Sequence, residues 1–255
     1  MKNEKVTVNS LLRGSKILKT IAQFGEIGTT KIAKEVGLHK STVSRFLYTL
    51  QIERLVEKNP ETGNYRLGIG IFELGMSYSD HMDLRQRGRR YLREVVDLTQ
   101  EVAHLGVIDQ SQIVYLEKVE SPHNLSMMSR VGARVSLHST SLGKAILAYL
   151  PSETLENLLK DIDFRKFTAK TIDNSEDLLD QLQDIRQKGY SIDDEENEEG
   201  IRCIGVPVLN YDGEAIGAIS ISGPTLRITY NKVKEFAPTL KEVGLKLSKE
   251  IGFRC

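Results

Sequence analysis

Gly37 stands between two short runs of helical periodicity, "KIAKEV" before it and "STVSRFLYTL" shortly after it, and this narrows what the N-terminal part of the chain can become. Ile32, Ala33 and Val36 form an apolar face on the first run. Val43, Phe46, Leu47 and Leu50 recur at spacings of three and four on the second. A residue that ends one helix and turns the chain into the next takes a left-handed backbone, which glycine adopts without steric cost. Thr29 or Thr30 can cap the first helix, and Leu38 fills the space between the two. Upstream, "SLLRGSKILKTIAQFG" has Leu11, Leu12, Ser15, Leu18, Ile21 and Ala22 near helical spacing and ends at Gly25.

The polar side of the second helix separates two readings. A solvated helix face usually mixes Glu and Lys in pairs four residues apart. Here Lys40, Ser41, Thr42, Ser44, Arg45 and Tyr48 face away from the core, and no carboxylate occurs between Lys40 and Gln51. Hydroxyls and cations near a helix N-terminus suit phosphate oxygens and base edges. An ordinary pair of core helices is the plain alternative. "RLVEKNPETGNYRLG" follows directly and reads as strand, turn, strand, with Leu55 and Val56 entering, Asn59 to Gly63 turning and Tyr65-Arg66-Leu67 returning. A hairpin after a helix-turn-helix is the wing of a winged helix, from which Arg66 can reach the adjacent backbone or minor groove of double-stranded DNA.

Charge is distributed in keeping with this. Residues 1–70 hold 12 Lys/Arg against 6 Asp/Glu, and the remainder 23 against 29, so a neutral chain has a basic head and an acidic body. The head therefore suits a polyanion. No run of about 18 apolar residues is present, so no membrane association is expected. The start, "MKNEKVTVNSLLRG", lacks a signal-type apolar stretch, which points to the cytoplasm. Cys203 and Cys255 are too few for a disulfide framework or a four-ligand zinc site. His104, His123 and His138 share no metal-ligand spacing, and His138 reads as a structural hydrogen-bonding residue; neither metal nor cofactor is expected.

Residues 69–100 read as linker helices, one carrying Ile71, Leu74 and Met76 and the next Leu84, Tyr91, Leu92, Val95, Val96 and Leu98. Arginines 85, 87, 89, 90 and 93 lie near Asp83, Glu94 and Asp97, so a salt-bridged helix surface is favoured over a second nucleic-acid contact. From residue 101 strands and helices alternate. "VAHLGVID" and "QIVYLEKVE" flank the turn Gln110-Ser111, and "STSLGKAILAYL" begins a helix stopped by Pro151. "SEDLLDQLQDIRQKG" is an amphipathic helix, and "IRCIGVPVLN" and "EAIGAISISG" are strands. The last helix carries Pro238, where a kink is expected. Together these predict an α+β domain with a mainly antiparallel sheet.

The winged helix, "LHSTSLGKAILAYLP", "GYSIDDEENEEGIRCIGVPVLNYDGEAIGAISISGP" and the final helix resemble the IclR type of bacterial transcriptional regulator over nearly the whole chain. The resemblance implies an N-terminal winged helix-turn-helix (1–68), a linker (69–100) and a GAF-like α+β effector-binding domain (101–255). It also implies operator DNA as partner, a homodimer formed through the head that can pair into a dimer of dimers, and a small organic acid as effector. Sugar acids of the hexuronate kind are the first candidates and aromatic acids the alternative. The family's effector pocket maps here onto Asp193, Cys203, Ser220, Ser222, Ser141 and Leu142, with apolar lining from Leu125, Met128 and Ile201. Leu142 is bulky where small residues also occur in that family, so the resemblance does not set the ligand's shape.

Elementary chemistry supports an anion there. A helix starting at Ser139 to Ser141 offers unpaired N–H groups, and Ser220 and Ser222, alternating onto one strand face, offer hydroxyls. Cys203 adds a weak S–H donor. Asp193 would repel an acid unless it is protonated or accepts from a ligand hydroxyl. Plainer readings stand beside each: Cys203 as a small buried hydrophobe, the serines facing solvent, and Asp194 to Glu199 as a solvated loop. Two other functions compete with a ligand-controlled regulator, most simply a repressor. One is an enzyme using Cys203 on a small acid; the other is a constitutive architectural DNA binder.

Overall fold

The computed structural model describes residues 8–80, 83–123 and 129–254. The chain forms two compact units, Met1–His81 and Met82–Cys255.

In the first unit α1 (Asn9–Phe24) leads through β1 (Glu26–Ile27) to α2 (Thr29–Val36) and α3 (Lys40–Ile52). The hairpin β2 (Val56–Lys58) and β3 (Tyr65–Leu67) follows, and α4 (Ile69–Asp80) closes the unit. Gly37 takes the left-handed conformation (φ 68°) and its N–H closes the end of α2, as the sequence required. The cap at the other end of α2 differs from expectation. Gly28 is the N-cap, no side chain caps the helix, and Thr29 and Thr30 lie inside its first turn. Ile17, Ile21, Ile32, Ala33, Val43, Leu47 and Val56 build the core, with Phe46 and Leu55 packed at its edge. Of the residues at helical spacing on α1, Ile21 is buried with Ile17, whereas Leu11 and Leu12 are 72% and 43% exposed. The three strands pair antiparallel in the order β1-β3-β2.

The second unit opens with α5 (Asp83–Thr99), so the expected linker helices fall one in each unit. Strands β4 (Val102–Asp109), β5 (Gln112–Val119) and β6 (Arg134–Ser136) come next, then helices α6 (Ser141–Leu147), α7 (Ser152–Asp161) and α8 (Ser175–Lys188). Strands β7 (Ser191–Asp194), β8 (Ile201–Leu209) and β9 (Ala215–Pro224) and helix α9 (Tyr230–Ile251) complete the order. All six strands form one antiparallel sheet, β6-β5-β4-β9-β8-β7, which is the α+β architecture expected. Helix α7 and the short strands β6 and β7 lie outside the elements read from the sequence. Helix α9 runs as one element past Pro238, which sits on its exposed side.

Alternation sorts the strands between two helical layers. Ala103, Leu105, Ile204, Val206, Ile219 and Ile221 face α5 and α9. The opposite side of the sheet carries α6 and α8 over Ile113, Tyr115, Ala215 and Ala218. Arginines of α5 pair with acids of other elements. Arg85 bridges Glu117 (3.2 Å), and Arg90 and Arg87 reach Glu250 (2.5 and 3.8 Å).

Gly205 lets α6 lie against the sheet. A Cβ there would come within 2.6 Å of the Ser141 carbonyl oxygen and 2.7 Å of Ser191 Oγ. Gly205→Ala is therefore expected to push α6 off β8 and to destabilise the second unit by about 1–3 kcal/mol, read as a lowered midpoint in chemical denaturation.

Candidate DNA-reading face and ligand cavity

The carboxylate-free face of α3 is an open surface. Lys40, Ser41, Ser44, Arg45 and Tyr48 are exposed, Tyr48 to 68%, and Thr42 is half-buried. His39 occupies the N-cap with extended backbone, and its side chain makes no capping bond. The first turn has no acid and begins with Lys40. That is the reverse of what the helix dipole favours, since cations are unfavourable at an N-terminus. An end built this way keeps its N–H groups and its positive charge for an anion from outside. In the second unit Thr140, Asn174 and Thr229 cap α6, α8 and α9 with side-chain oxygens, while α7, like α1 and α2, has no side-chain cap. Ser44 Oγ donates to the Lys40 carbonyl (3.0 Å), which leaves its oxygen open as an acceptor.

The wing is tied together by its acids. Arg66 lies opposite Glu26 on one side and Glu57 on the other, and its guanidinium bridges Glu57. Thr62 Oγ1 and Asn59 Nδ2 donate to the Glu26 carboxylate at 2.6 and 3.2 Å, and these bonds draw its pKa below the usual carboxylate value. The cation expected to reach from the wing is thus engaged within it.

In the second unit, Ser141, Leu142, Asp193, Ile201, Cys203, Ser220 and Ser222 line one cavity. Leu125 and Met128 lie outside the described residues. Tyr115, Thr140, Asn197 and Glu198 complete the wall, and none of these was singled out in the sequence. Strand register explains the gathering, because Asp193 pairs with Cys203 and Cys203 with Ser222 across three neighbouring strands. Thr140 accepts from the Gly143 N–H and fixes the start of α6, whose first two amides, Ser141 and Leu142, receive nothing from this cap. The free space is about 20 Å³, room for one water. An organic acid enters only if a wall moves.

Asp193 Oδ1 accepts from the N–H groups of Glu196 (2.9 Å) and Asn197 (3.3 Å), closing the loop between β7 and β8. Burial raises its pKa to about 7, with Lys144 opposing and the charge of Glu196 adding to the rise. Cys203 is a buried thiol whose pKa burial pushes well above the ordinary value, Asp193 adding to the effect. A thiol held neutral is a poor nucleophile, which removes the chemical basis for Cys203 as a reactive group.

The acid loop behind the cavity corrects a sequence reading. Glu196 is 5% exposed rather than solvated, and both its oxygens accept from Lys144 Nζ at 2.6 and 2.7 Å. Gln181 Oε1 accepts a third bond from the same ammonium (2.9 Å). Asp194 pairs with Arg202 (2.6 Å) and accepts from the Tyr230 hydroxyl (2.7 Å), and Glu195 pairs with Lys170 (2.7 Å). The lone cation in the apolar run "LGKAILAYL" was the available signal that a buried acid partners it. His138 is structural as expected, with Nδ1 2.8 Å from Ser136 Oγ and Nε2 3.1 Å from the Arg165 carbonyl.

A winged helix with a carboxylate-free helix face, followed by an α+β unit, is the architecture of a DNA-binding regulator. The comparisons agree. The family model for the IclR helix-turn-helix domain matches residues 10–60, and that for the bacterial transcriptional regulator IclR C-terminal domain matches residues 76–249. The HTH-type transcriptional regulator KdgR of Dickeya chrysanthemi is 39% identical over 97% of this chain and 81% of its own. The transcriptional repressor IclR of Escherichia coli is 33% identical over 96% of this chain and 89% of its own. The crystal structure of the Thermotoga maritima IclR superposes with a TM-score of 0.81 at 31% identity, covering 97% of this chain and all of the other. The chain belongs to the IclR family of bacterial transcriptional regulators. It is a DNA-binding transcription regulator and not an enzyme.

Proposed function

We propose that this regulator works in the cytoplasm as a homodimer and most simply as a repressor. In this reading α3 of each copy reads one operator half-site through Ser41, Thr42, Ser44, Arg45 and Tyr48. Lys40 and the amides beside it hold a phosphate, and Arg66 stiffens the wing through Glu57. A small hydroxylated organic acid entering the cavity then shifts the population toward a conformer whose paired heads no longer fit the operator. The observation carrying the DNA assignment is the uncapped, cation-led N-terminus of α3 beside a face without carboxylates. Gel shift with the protein's own upstream DNA tests it. A complex that weakens steeply with salt and prefers that sequence is expected, and its absence from low to physiological ionic strength overturns the reading.

Exposed apolar side chains support the dimer. Val8, Leu11 and Leu12 stand 62%, 72% and 43% exposed along one stripe, and Ile69, Phe72 and Leu74 of α4 are each more than half exposed. A second copy covering such surface gains what water refuses. Pairing of dimers into a tetramer is compatible with the same surfaces, and sedimentation equilibrium distinguishes the two.

The donors Ser220, Ser222 and Cys203 suit a carboxylate, and Asp193 suits a ligand hydroxyl, which favours sugar acids over purely aromatic ones. Thermal-shift assays with galacturonate and 4-hydroxybenzoate compare the two classes, since a ligand of the native state raises its melting temperature.

Asp193 makes the reading pH-dependent. In the unfolded chain its proton leaves near the ordinary value of 3.8, whereas in the folded protein it stays to about 7. Between those values the folded state binds more protons, so this group's contribution falls as pH rises from about 4 to about 7 and stays low above that. Asp193→Asn removes the slope. The melting temperature of the variant relative to the unmodified protein is expected to climb across that window and then level off. A difference that is constant with pH contradicts the assignment.

A further inference from the structure

Among the described residues, one buried side-chain nitrogen or oxygen has no hydrogen-bond partner, His104 Nδ1. The side chain is 1% exposed, and Nε2 lies 2.7 Å from Ser129 Oγ. Burial, helped by the charge of Lys118, lowers its pKa to about 3, so the ring is neutral. In a neutral imidazole one nitrogen donates and the other accepts. A serine hydroxyl serves either role, so Nδ1 is free to be donor or acceptor. Leaving such an atom buried and unpaired costs the protein, and native structures keep few of them.

His104 does not line the cavity but neighbours two residues that do. It pairs across the sheet with Ser220, a wall residue, so the two side chains project from the same face as neighbours. Its ring lies 4.7 Å from that of Tyr115, another wall residue. Among the described residues, Tyr115 has a ring contact with His104 and no hydrogen bond from its hydroxyl. The closed cavity must lose a wall to admit an acid, and among the described residues His104 Nδ1 and the Tyr115 hydroxyl beside it have no hydrogen-bond partner.

We propose that His104 is a further effector-recognising residue, its Nδ1 exchanging a hydrogen bond with a hydroxyl or oxo oxygen of the bound acid once Tyr115 has turned. The proposal rests on the reading of the cavity as the effector site. It assigns His104 a share in selectivity: an acid with an oxygen at the right place satisfies the orphan atom, and its deoxy counterpart leaves it unpaired.

The test compares unmodified protein with His104→Phe and His104→Gln, each first shown to be folded by circular dichroism. The probes are 4-hydroxybenzoate against benzoate and galacturonate against cyclohexanecarboxylate, with affinities measured by calorimetry. The unmodified protein is expected to prefer the oxygenated member of at least one pair. His104→Phe is expected to reduce that preference about tenfold, and His104→Gln to restore part of it. Without acid, His104→Phe is expected to melt close to the unmodified protein, because it removes the unpaired Nδ1 but also the partner of Ser129 Oγ. Unchanged preference in both variants, while Ser220→Ala abolishes binding, overturns the role of His104 and leaves the cavity reading intact. Failure of every probe to bind the unmodified protein sinks the cavity reading and this inference with it.

Discussion

Lys144→Met is expected to lower the stability of the Met82–Cys255 unit by about 3–5 kcal/mol, because it strands the carboxylate of Glu196 in the interior without its counter-ion. The ammonium is fully buried and makes three bonds, two to Glu196 and one to Gln181. Methionine matches the length of the stem but offers nothing to those oxygens. For a unit of this size the loss corresponds to a fall in melting temperature of roughly 10 °C. The sign with pH is also set. An unpaired buried Glu196 holds its proton more tightly than the unfolded chain does, so the variant loses more stability as pH rises from the acid range toward neutrality. The double variant Lys144→Met/Glu196→Leu is expected to recover most of the loss, since an apolar pair of similar volume carries no desolvation cost. A single variant as stable as the parent at neutral pH contradicts a closed, charged interior. Because Glu196 follows Asp193 by three residues and its N–H donates to Asp193 Oδ1, the pair also holds the cavity wall. The variant is therefore expected to weaken acid binding even under conditions where it stays folded.

The second large effect falls on DNA. Arg45→Ala is expected to reduce operator affinity by about 1–3 kcal/mol, some tenfold to a hundredfold, and to relax preference at one base position. Arg45 is exposed, lies one helical turn after Ser41, and has no acid on its own helix to hold it. Lys40→Ala acts differently. As a phosphate contact it is expected to weaken binding to all sequences alike and to reduce the salt slope by about one charge. Fluorescence anisotropy with specific and scrambled duplexes at several salt concentrations separates these outcomes. Equal loss on both duplexes for Arg45→Ala would place that side chain on the backbone instead of on a base.

Legibility in the sequence followed the range of the physics. The winged helix was readable because its determinants are local: the Gly37 backbone, the spacing of Val43, Leu47 and Leu50, and the turn from Asn59 to Gly63. The serines at 220 and 222 were readable because strand alternation puts them on one face. The acid loop was not. A run such as "DDEENEE" looks solvated until its distant cations, Lys144, Lys170 and Arg202, are brought beside it. His104 and Tyr115 were also hidden, since their neighbourhood to the cavity depends on which residues pair across β4, β5 and β9. On α1, helical spacing groups Leu11 and Leu12 with Ile21, yet the fold leaves the two leucines outside; hydrophobicity alone does not say whether the covering partner is the same chain or another.

Placing a photoreactive side chain at position 44, in the middle of the exposed face of α3, gives the most direct measurement of what that face does. Irradiation with the protein's upstream DNA is expected to join position 44 to bases inside a half-site of the footprint, with loss of the product as salt rises. Crosslinks confined to the protein itself, with no DNA product at any ionic strength, would mean that α3 does not enter a groove.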